Sequence, residues 1–453
     1  MSGLLQQTTM KTIKIISGAL LMLGTANVYA QDAFINLSLK EACKQAAEKN
    51  VNVRNAGLEQ KKTQYISDET KSKLYPQIDG YSNFNYYYSI PKMVLPGEIF
   101  GQTGMIAVQI GTKYDWSNGF RATQVLYNQS YFTSLKLAKR MEKMSELSLK
   151  QKKEEIVYQV SQVYYLCLAT EKQIAQLNIT MQNSEKLLEI AKLQKENGII
   201  LKVDYSRVMV TKTNLQTQID NLNQLYQQQL GILKYLIGTK QNTKVELSDS
   251  LSVSSTETSR SLPDLSNRTE LQMLDKQMEV TSLTRTMNKQ AYLPTISGFG
   301  QLYFQGQRDQ FDFFKGGKDK FFKVGLVGLS LNIPIFDGFE KHSKIRQGEI
   351  ELDQLRNTRE STTEYFSKDF ADAVRQYDNN LNVVIRQQEN IKIAEESYSV
   401  SLQGYRQQAV SLSDLLMSEN GLTEARLSYY NALLQLKNAG LEVRKSKGEL
   451  LSY

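Results

Sequence analysis

Residues Tyr292-Leu293-Pro294-Thr295-Ile296-Ser297-Gly298 repeat, in altered form, the stretch Leu74-Tyr75-Pro76-Gln77-Ile78-Asp79-Gly80. The alignment runs upstream without a gap, 50–80 against 268–298. Each stretch ends a polar, helically periodic segment at a proline and then becomes aromatic-rich and strand-like. Proline lacks a backbone N–H and clashes with a helix interior, so each one marks a helix giving way to a strand. A second correspondence sets Gln124-Val125-Leu126-Tyr127-Asn128-Gln129 against Ile333-Pro334-Ile335-Phe336-Asp337-Gly338, and a third sets Asp204 against Asp414. The chain therefore reads as two copies of one unit: helix, proline, strand, loop, strand, long helical hairpin.

The remaining prolines support that reading by their scarcity. Only 6 occur in 453 residues, at Pro76, Pro91, Pro96, Pro263, Pro294 and Pro334, so 97–262 and 335–453 contain none. Compact folds need more punctuation than this, which argues against a Rossmann-type or all-β single domain and excludes a collagen-like chain. The proline-free runs carry a narrow apolar seam at 3/4 spacing. It runs through Val160, Val163, Cys167, Thr170, Ile174, Leu177, Met181, Ser184, Leu188 and Ala191. A second runs from Leu201 through Tyr205, Val208, Lys212, Leu215, Ile219, Leu222, Tyr226, Gln229, Leu233 and Leu236, and a third through Phe370, Val374, Tyr377, Leu381, Val384, Gln388 and Ile391. Such stripes suit coiled-coil packing rather than burial all round. Asn197-Gly198 is the strong helix stop within the first run. A helix over 129–197 would be ~100 Å long.

Residues 10–30 read as a cleavable export signal: Lys11 and Lys14, an apolar stretch from Ile15 to Gly24, then Val28-Tyr29-Ala30. Translation from Met1 or from Met10 is compatible with this pattern. Beyond it no apolar run reaches the ~18 residues of a membrane-spanning helix. The net charge of +8, from 55 basic and 47 acidic residues, is spread along the chain and is not the clustered basic face of a nucleic-acid binder. Two cysteines, Cys43 and Cys167, do not imply a disulfide framework.

The strand segments carry a weak membrane signal. Val327, Leu329, Leu331 and Ile333 alternate with Gly328, Ser330 and Asn332, and Leu302 and Phe304 alternate with Gln301, Tyr303 and Gln305, as in strands with a lipid side and a water side. Tyr81, Phe84, Tyr86, Tyr87 and Tyr88 read as part of an interfacial aromatic belt. Trp116-Ser117-Asn118-Gly119 reads as a hairpin turn. Two strands per copy are too few to close a barrel, and hydrocarbon leaves an open strand edge unpaired, so a membrane reading requires several chains to share one barrel. The Ser/Thr-rich segment 240–267 joins the copies, with one short strand near Lys244 to Leu247.

The sequence resembles the TolC family of outer-membrane efflux proteins over essentially the whole mature chain. The residues that carry the likeness are Leu331-Asn332-Ile333-Pro334-Ile335-Phe336-Asp337-Gly338, Arg268-Thr269-Glu270-Leu271 opening the second copy, the proline-ended helices, and a hairpin turning at Gly198 with Asp204 following. The resemblance implies a mainly α chain with a small β-barrel part: a homotrimer sharing one barrel in outer-membrane lipid, continued by a helical periplasmic tunnel. It divides the chain into a signal peptide (1–30), a first repeat (31–239, strands about 78–127), an inter-repeat segment (240–267) and a second repeat (268–453, strands about 295–334). It also implies a passive exit duct for small toxic compounds, served by a periplasmic adaptor and an inner-membrane pump. The same duct in type I protein secretion or metal efflux, and a periplasmic coiled-coil scaffold without a pore, are the alternatives.

By this resemblance the hairpin turns form the periplasmic entrance. Asp204, Tyr405 and Asp414 are the gate candidates, and Gly198, Gln408 and Ala409 are candidates for the tip and adaptor contact. Gln408-Ala409 replaces the family's glycine, and Val410 and Met417 stand where an arginine and a second aspartate occur, so a Tyr405–Asp204 contact is what remains of the family latch. Carboxylates gathered by threefold symmetry would make an acidic ring that filters cations. Equally, both aspartates read as helix N-terminal acids favoured by the dipole.

Nothing else in the chain suggests catalysis, a metal or a cofactor. His342, the only histidine, reads as a surface residue, which leaves a histidine-based triad or metal pair without parts. Cys43, Cys167 and Met181 read as packing residues. Gly298, Gly300 and Gly306 have the wrong spacing for a dinucleotide loop and read as strand glycines.

Overall fold

The structure, a computed structural model, describes residues 34–253, 264–315 and 321–452. The signal reading of 1–30 and Pro263 lie outside the described residues. The elements in chain order are β1 (Phe34–Leu37), α1 (Leu39–Lys49), α2 (Val51–Ser72), β2 (Gln77–Tyr86), β3 (Lys92–Pro96), β4 (Met105–Gln109), β5 (Tyr114–Tyr127) and α3 (Gln129–Glu196). They continue as α4 (Lys202–Leu236), β6 (Lys244–Leu247), α5 (Thr269–Gln290), β7 (Thr295–Arg308), β8 (Phe322–Asn332), α6 (Glu340–Arg406) and α7 (Leu412–Ser446). No helix among the described residues is long and apolar enough to cross a membrane.

The helix, the two main-sheet strands and the helical hairpin recur in both copies, while among the described residues the β3–β4 ribbon occurs in the first copy alone. α2 and α5 each have 22 residues, α4 and α7 each 35, and α3 and α6 have 68 and 67. The long helices start on matched caps: the Asn128 carboxamide oxygen accepts from the Tyr131 N–H at 3.0 Å, and Asp337 accepts from the Lys341 N–H at 3.1 Å. Those are the residues that the second sequence correspondence aligns.

By contacts the chain forms two compact units, each drawing on both copies. One, the turn unit, comprises 34–50, 159–253 and 382–438 among the described residues. It holds both helical hairpin turns and a pairing that sequence reading missed: β1 runs parallel to β6 with Ile35 opposite Val245. The pair is fixed from α3, where the buried Tyr164 hydroxyl lies 2.9 Å from both the Leu37 carbonyl and the Asp249 carboxylate. Along α3 the seam residues Val160, Cys167, Thr170, Leu177, Met181, Ser184 and Ala191 are buried. Burial pushes the Cys167 thiol up to about 12, as expected of an inert packing residue.

The other, the strand unit, comprises 51–158, 264–381 without the masked residues, and 439–452. Its main sheet is antiparallel in the order β2-β5-β7-β8, so the copies meet at β5 and β7, while β3 and β4 form a separate two-stranded ribbon. Here two sequence expectations are corrected. Trp116-Ser117-Asn118-Gly119 is not a turn: it lies inside β5, paired to β2 on one side and β7 on the other. Gly119 is there for close approach, since a Cβ on it would lie 2.3 Å from the Tyr303 Cβ across the pair. The strand instead returns through the longer excursion that carries β3 and β4. Tyr81, expected in the aromatic belt, sits on the opposite face of the sheet from Phe84, with the Arg121 guanidinium 5.6 Å from its ring centre.

Candidate pore wall and hairpin turns

Because side chains alternate along a strand, the ladder register decides which residues share a face. Ile78, Phe84, Phe120, Leu302, Phe304, Val327, Leu329 and Leu331 fall on one face of the main sheet, and all are exposed. Asn83, Asn85, Asp115, Ser117, Arg121, Gln301, Gln305 and Gln307 fall on the other. The alternation read separately in β7 and β8 thus extends across the sheet as a mainly apolar face, interrupted by Ser82, Asn118 and Lys323, backed by a more polar one that also carries Phe299, Tyr303, Val324 and Leu326. Water would not stabilise so large an exposed apolar face, whereas lipid on one side and a water-filled lumen on the other suit both. On the polar face Asp115 accepts from Gln305 at 2.6 Å and from Gln307 at 3.2 Å. At one end of the apolar face, Phe84, Tyr114 and Trp116 pack edge-on with Phe311, Phe313, Phe314 and Phe321 from the β7–β8 connection. Among the described residues both outer strands, β2 and β8, keep one edge unpaired.

Elsewhere in the strand unit, Arg268 of the motif that opens the second copy is buried. Its guanidinium bonds the Glu270 carboxylate at 3.1 and 2.9 Å, donates to the Lys445 carbonyl at 2.8 Å and lies 3.9 Å from the Phe366 ring centre. It ties the start of α5 to the end of α7, a structural duty.

The two hairpin turns in the turn unit share one backbone plan. At the first, Gly198 takes φ +71°, its N–H bonds the Lys195 carbonyl at 3.1 Å and the Ile199 N–H bonds the Gln194 carbonyl at 2.8 Å. At the second, Gln408 takes φ +61°, its N–H bonds the Tyr405 carbonyl at 3.0 Å and the Ala409 N–H bonds the Gly404 carbonyl at 2.8 Å. Both are Schellman closures, in which a left-handed residue lets the last helical carbonyls find donors. Gly198, Gln408 and Ala409 are all exposed.

The acids are brought to the first turns of the following helices. Asp204 accepts from Arg207 at 3.1 Å. Asp414 is exposed; its N–H donates to the Ser411 hydroxyl at 3.1 Å and its carboxylate accepts from that hydroxyl at 2.6 Å. Each therefore has a local role at a positive helix end. The half-buried Tyr405 hydroxyl donates to Gln194 on α3 at 2.7 Å, and Asp204 accepts from Arg207. Burial, reinforced by the charge of Asp204, raises the Tyr405 pKa and keeps the phenol protonated. Beneath the turns, Leu187, Ala191, Val208, Leu412, Leu415 and Leu416 form a buried cluster with Tyr205, Tyr398, Leu402 and Tyr405 packed on it. The Ser411-x-x-Asp414 pair was findable as a capping box; Gln194, a glutamine among many on a polar helix, gave no signal.

No constellation of three or more metal-binding side chains occurs among the described residues. The sequence profile of the family described as outer membrane efflux protein matches residues 42–239 and 264–449. No curated protein matches the chain in sequence. Among solved structures the fold is similar to that of the transmembrane channel protein CusC, at 16% identity and a TM-score of 0.73 over 93% of this chain and 95% of that one. It is also similar to the outer membrane protein VceC of Vibrio cholerae, at 12% identity and a TM-score of 0.71 over 90% of this chain and 96% of that one. The Campylobacter jejuni outer membrane channel CmeC gives 16% identity and a TM-score of 0.70 over 91% and 86% of the two chains.

Proposed function

The chain belongs to the outer membrane efflux protein family, and from that premise we propose that it is the exit duct of a tripartite pump, passing small toxic compounds through the periplasm and outer membrane. The observation that carries the reading is the four-stranded sheet with one mainly apolar exposed face, one more polar face and, among the described residues, both edges open. In lipid an unpaired strand edge is too costly to persist, so β2 of one chain pairs with β8 of the next until the barrel closes. Three chains make a twelve-stranded barrel, with the apolar face in lipid and Asn83, Asp115, Arg121 and Gln305 towards the lumen.

In this reading the helical hairpins form a periplasmic tunnel whose entrance lies at the turns. Asp204 and Asp414, repeated by threefold symmetry, ring that entrance with carboxylates, and Gly198, Gln408 and Ala409 present the surface that an adaptor grips. Transport is passive; the chain has no catalytic task, and the inner-membrane pump supplies the energy. Planar-bilayer recording of the purified trimer tests this. The expected result is a stable conductance blocked by divalent cations, with the block weakened in Asp414→Ala and unchanged in His342→Ala. A trimer that conducts nothing overturns the duct, and equal block in Asp414→Ala removes Asp414 from the entrance.

A further inference from the structure

Within the turn unit, α3 and α7 pack antiparallel, and their register can be read from one bond: the Thr180 and Thr423 hydroxyls, both buried, lie 3.1 Å apart. One helical turn closer to the hairpin ends, α3 presents Ser184 and α7 presents Glu419. A further turn brings Leu187 and Leu416 into the apolar cluster beneath the turns. Ser184 and Glu419 thus occupy one layer, closed on one side by the hydroxyl pair and on the other by that cluster. Ser184 is fully buried and Glu419 is 5% exposed. Among the described residues neither the Ser184 hydroxyl nor the Glu419 Oε1 has a hydrogen-bond partner.

A buried carboxylate needs a cation or several donors, and among the described residues none engages its Oε1. From α6 the group facing it is Tyr398, whose pKa the Glu419 charge helps to raise. Nearby Glu395 of α6 is held by Arg426 at 2.6 Å, and on α3 Glu185 is held by Lys212 of α4 at 3.0 Å. Burial raises the Glu419 pKa to about 7. In the first copy the corresponding place belongs to Met209, which is exposed. The buried acid is a feature of one repeat alone.

We propose that Glu419 is a protonation site that couples the packing of α7 on α3 to pH. The neutral acid stays in the seam opposite Ser184; when it gives up its proton to solvent, the carboxylate forces α7 out of the seam and loosens the end that carries the turns. The sign follows from proton counting. Glu419 in the packed state has a pKa above its ordinary carboxylate value, so between the two values the packed state holds a proton that the separated state has lost. Packing is therefore fully stable in acid, weakens as pH rises towards 7, and levels off above. Resting on the duct reading, the consequence is an entrance held shut in acid and eased at neutral pH and above.

Hydrogen exchange of the segment 408–425 in the assembled protein at pH 5.5 and pH 8, corrected for intrinsic rates, tests the site. Wild-type protection is expected to fall about thirtyfold across that range, one factor of ten per pH unit up to the pKa. Glu419→Gln, or Glu419→Met should the first variant fold poorly, is expected to keep its acid-side protection at pH 8. The same fall in a folded variant overturns the proposal. Bilayer recording over the same range supplies the second arm, with open probability rising with pH in wild type and flat in Glu419→Gln. A protein that conducts nothing but retains the Glu419-dependent fall in protection loses the duct and keeps the protonation site.

Discussion

At the first hairpin turn the left-handed residue is Gly198; at the second it is Gln408, which pays a steric cost that glycine avoids. The helix that follows reverses the advantage. α4 starts at Leu201 with no side-chain cap, whereas α7 starts at Ser411, whose hydroxyl takes the Asp414 N–H. The glycines differ as well. A Cβ on Gly198 would meet nothing within 4 Å, so that glycine serves the backbone; a Cβ on Gly404, before the second turn, would lie 2.4 Å from the Val410 Cγ2, so that glycine makes room. One backbone plan is held at the first turn by conformational freedom and at the second by a cap and packing.

The largest effect should come from taking the freedom away. Gly198→Val places a β-branched side chain at φ +71°, at a cost of about 2 kcal/mol with no contact to recover it. Hydrogen exchange should show the 194–199 amides losing protection about thirtyfold while 404–409 stay unchanged. Loss of less than threefold would mean that the first turn does not depend on its glycine. Next comes Gly404→Ala, where crowding of Val410 should cost about 1.5 kcal/mol. Because that cost is a clash, adding Val410→Ala should recover most of it. Absence of recovery would show that relief of crowding against Val410 is not what Gly404 provides.

How much of this contrast was legible in the sequence depends on how local its cause is. Gly198 and the Ser411-x-x-Asp414 cap act within one turn of chain, so the residues announce them. The proline junctions at Pro76 and Pro294 and the seam through Leu177 and Met181 were readable for the same reason: helix breaking and 3/4 spacing are properties of contiguous residues. Gly119 was misread because its requirement comes from Tyr303, in a strand of the other copy, and an Asn-Gly pair carries a turn signal whatever faces it. Gln194 and Glu419 were missed on similar grounds. The first matters only because Tyr405 reaches it, the second only because the fold buries it.

Removing the cap tests the other half of the comparison. Ser411→Ala leaves the Asp414 N–H without its acceptor and should cost about 1 kcal/mol, roughly a fivefold loss of protection at the start of α7. Leu201→Ala should change the start of α4 far less, since Leu201 caps nothing. Equal losses at the two helix starts would erase the distinction.

The smallest effect is also the most discriminating. If Gln408 is strained, Gln408→Gly should stabilise the second turn, even though glycine ordinarily weakens a chain by enlarging its unfolded ensemble. Relief of the left-handed conformation contributes about 1 kcal/mol, and the added unfolded-state entropy takes back about half of it. The net gain of about 0.5 kcal/mol, roughly a twofold rise in protection of the Ala409 amide, is the result expected from measuring exchange in the variant. A loss instead would show that the exposed Gln408 side chain makes a favourable interaction in the assembled protein, as an adaptor-gripping residue would. The second turn would then owe its glutamine to function and not to tolerance.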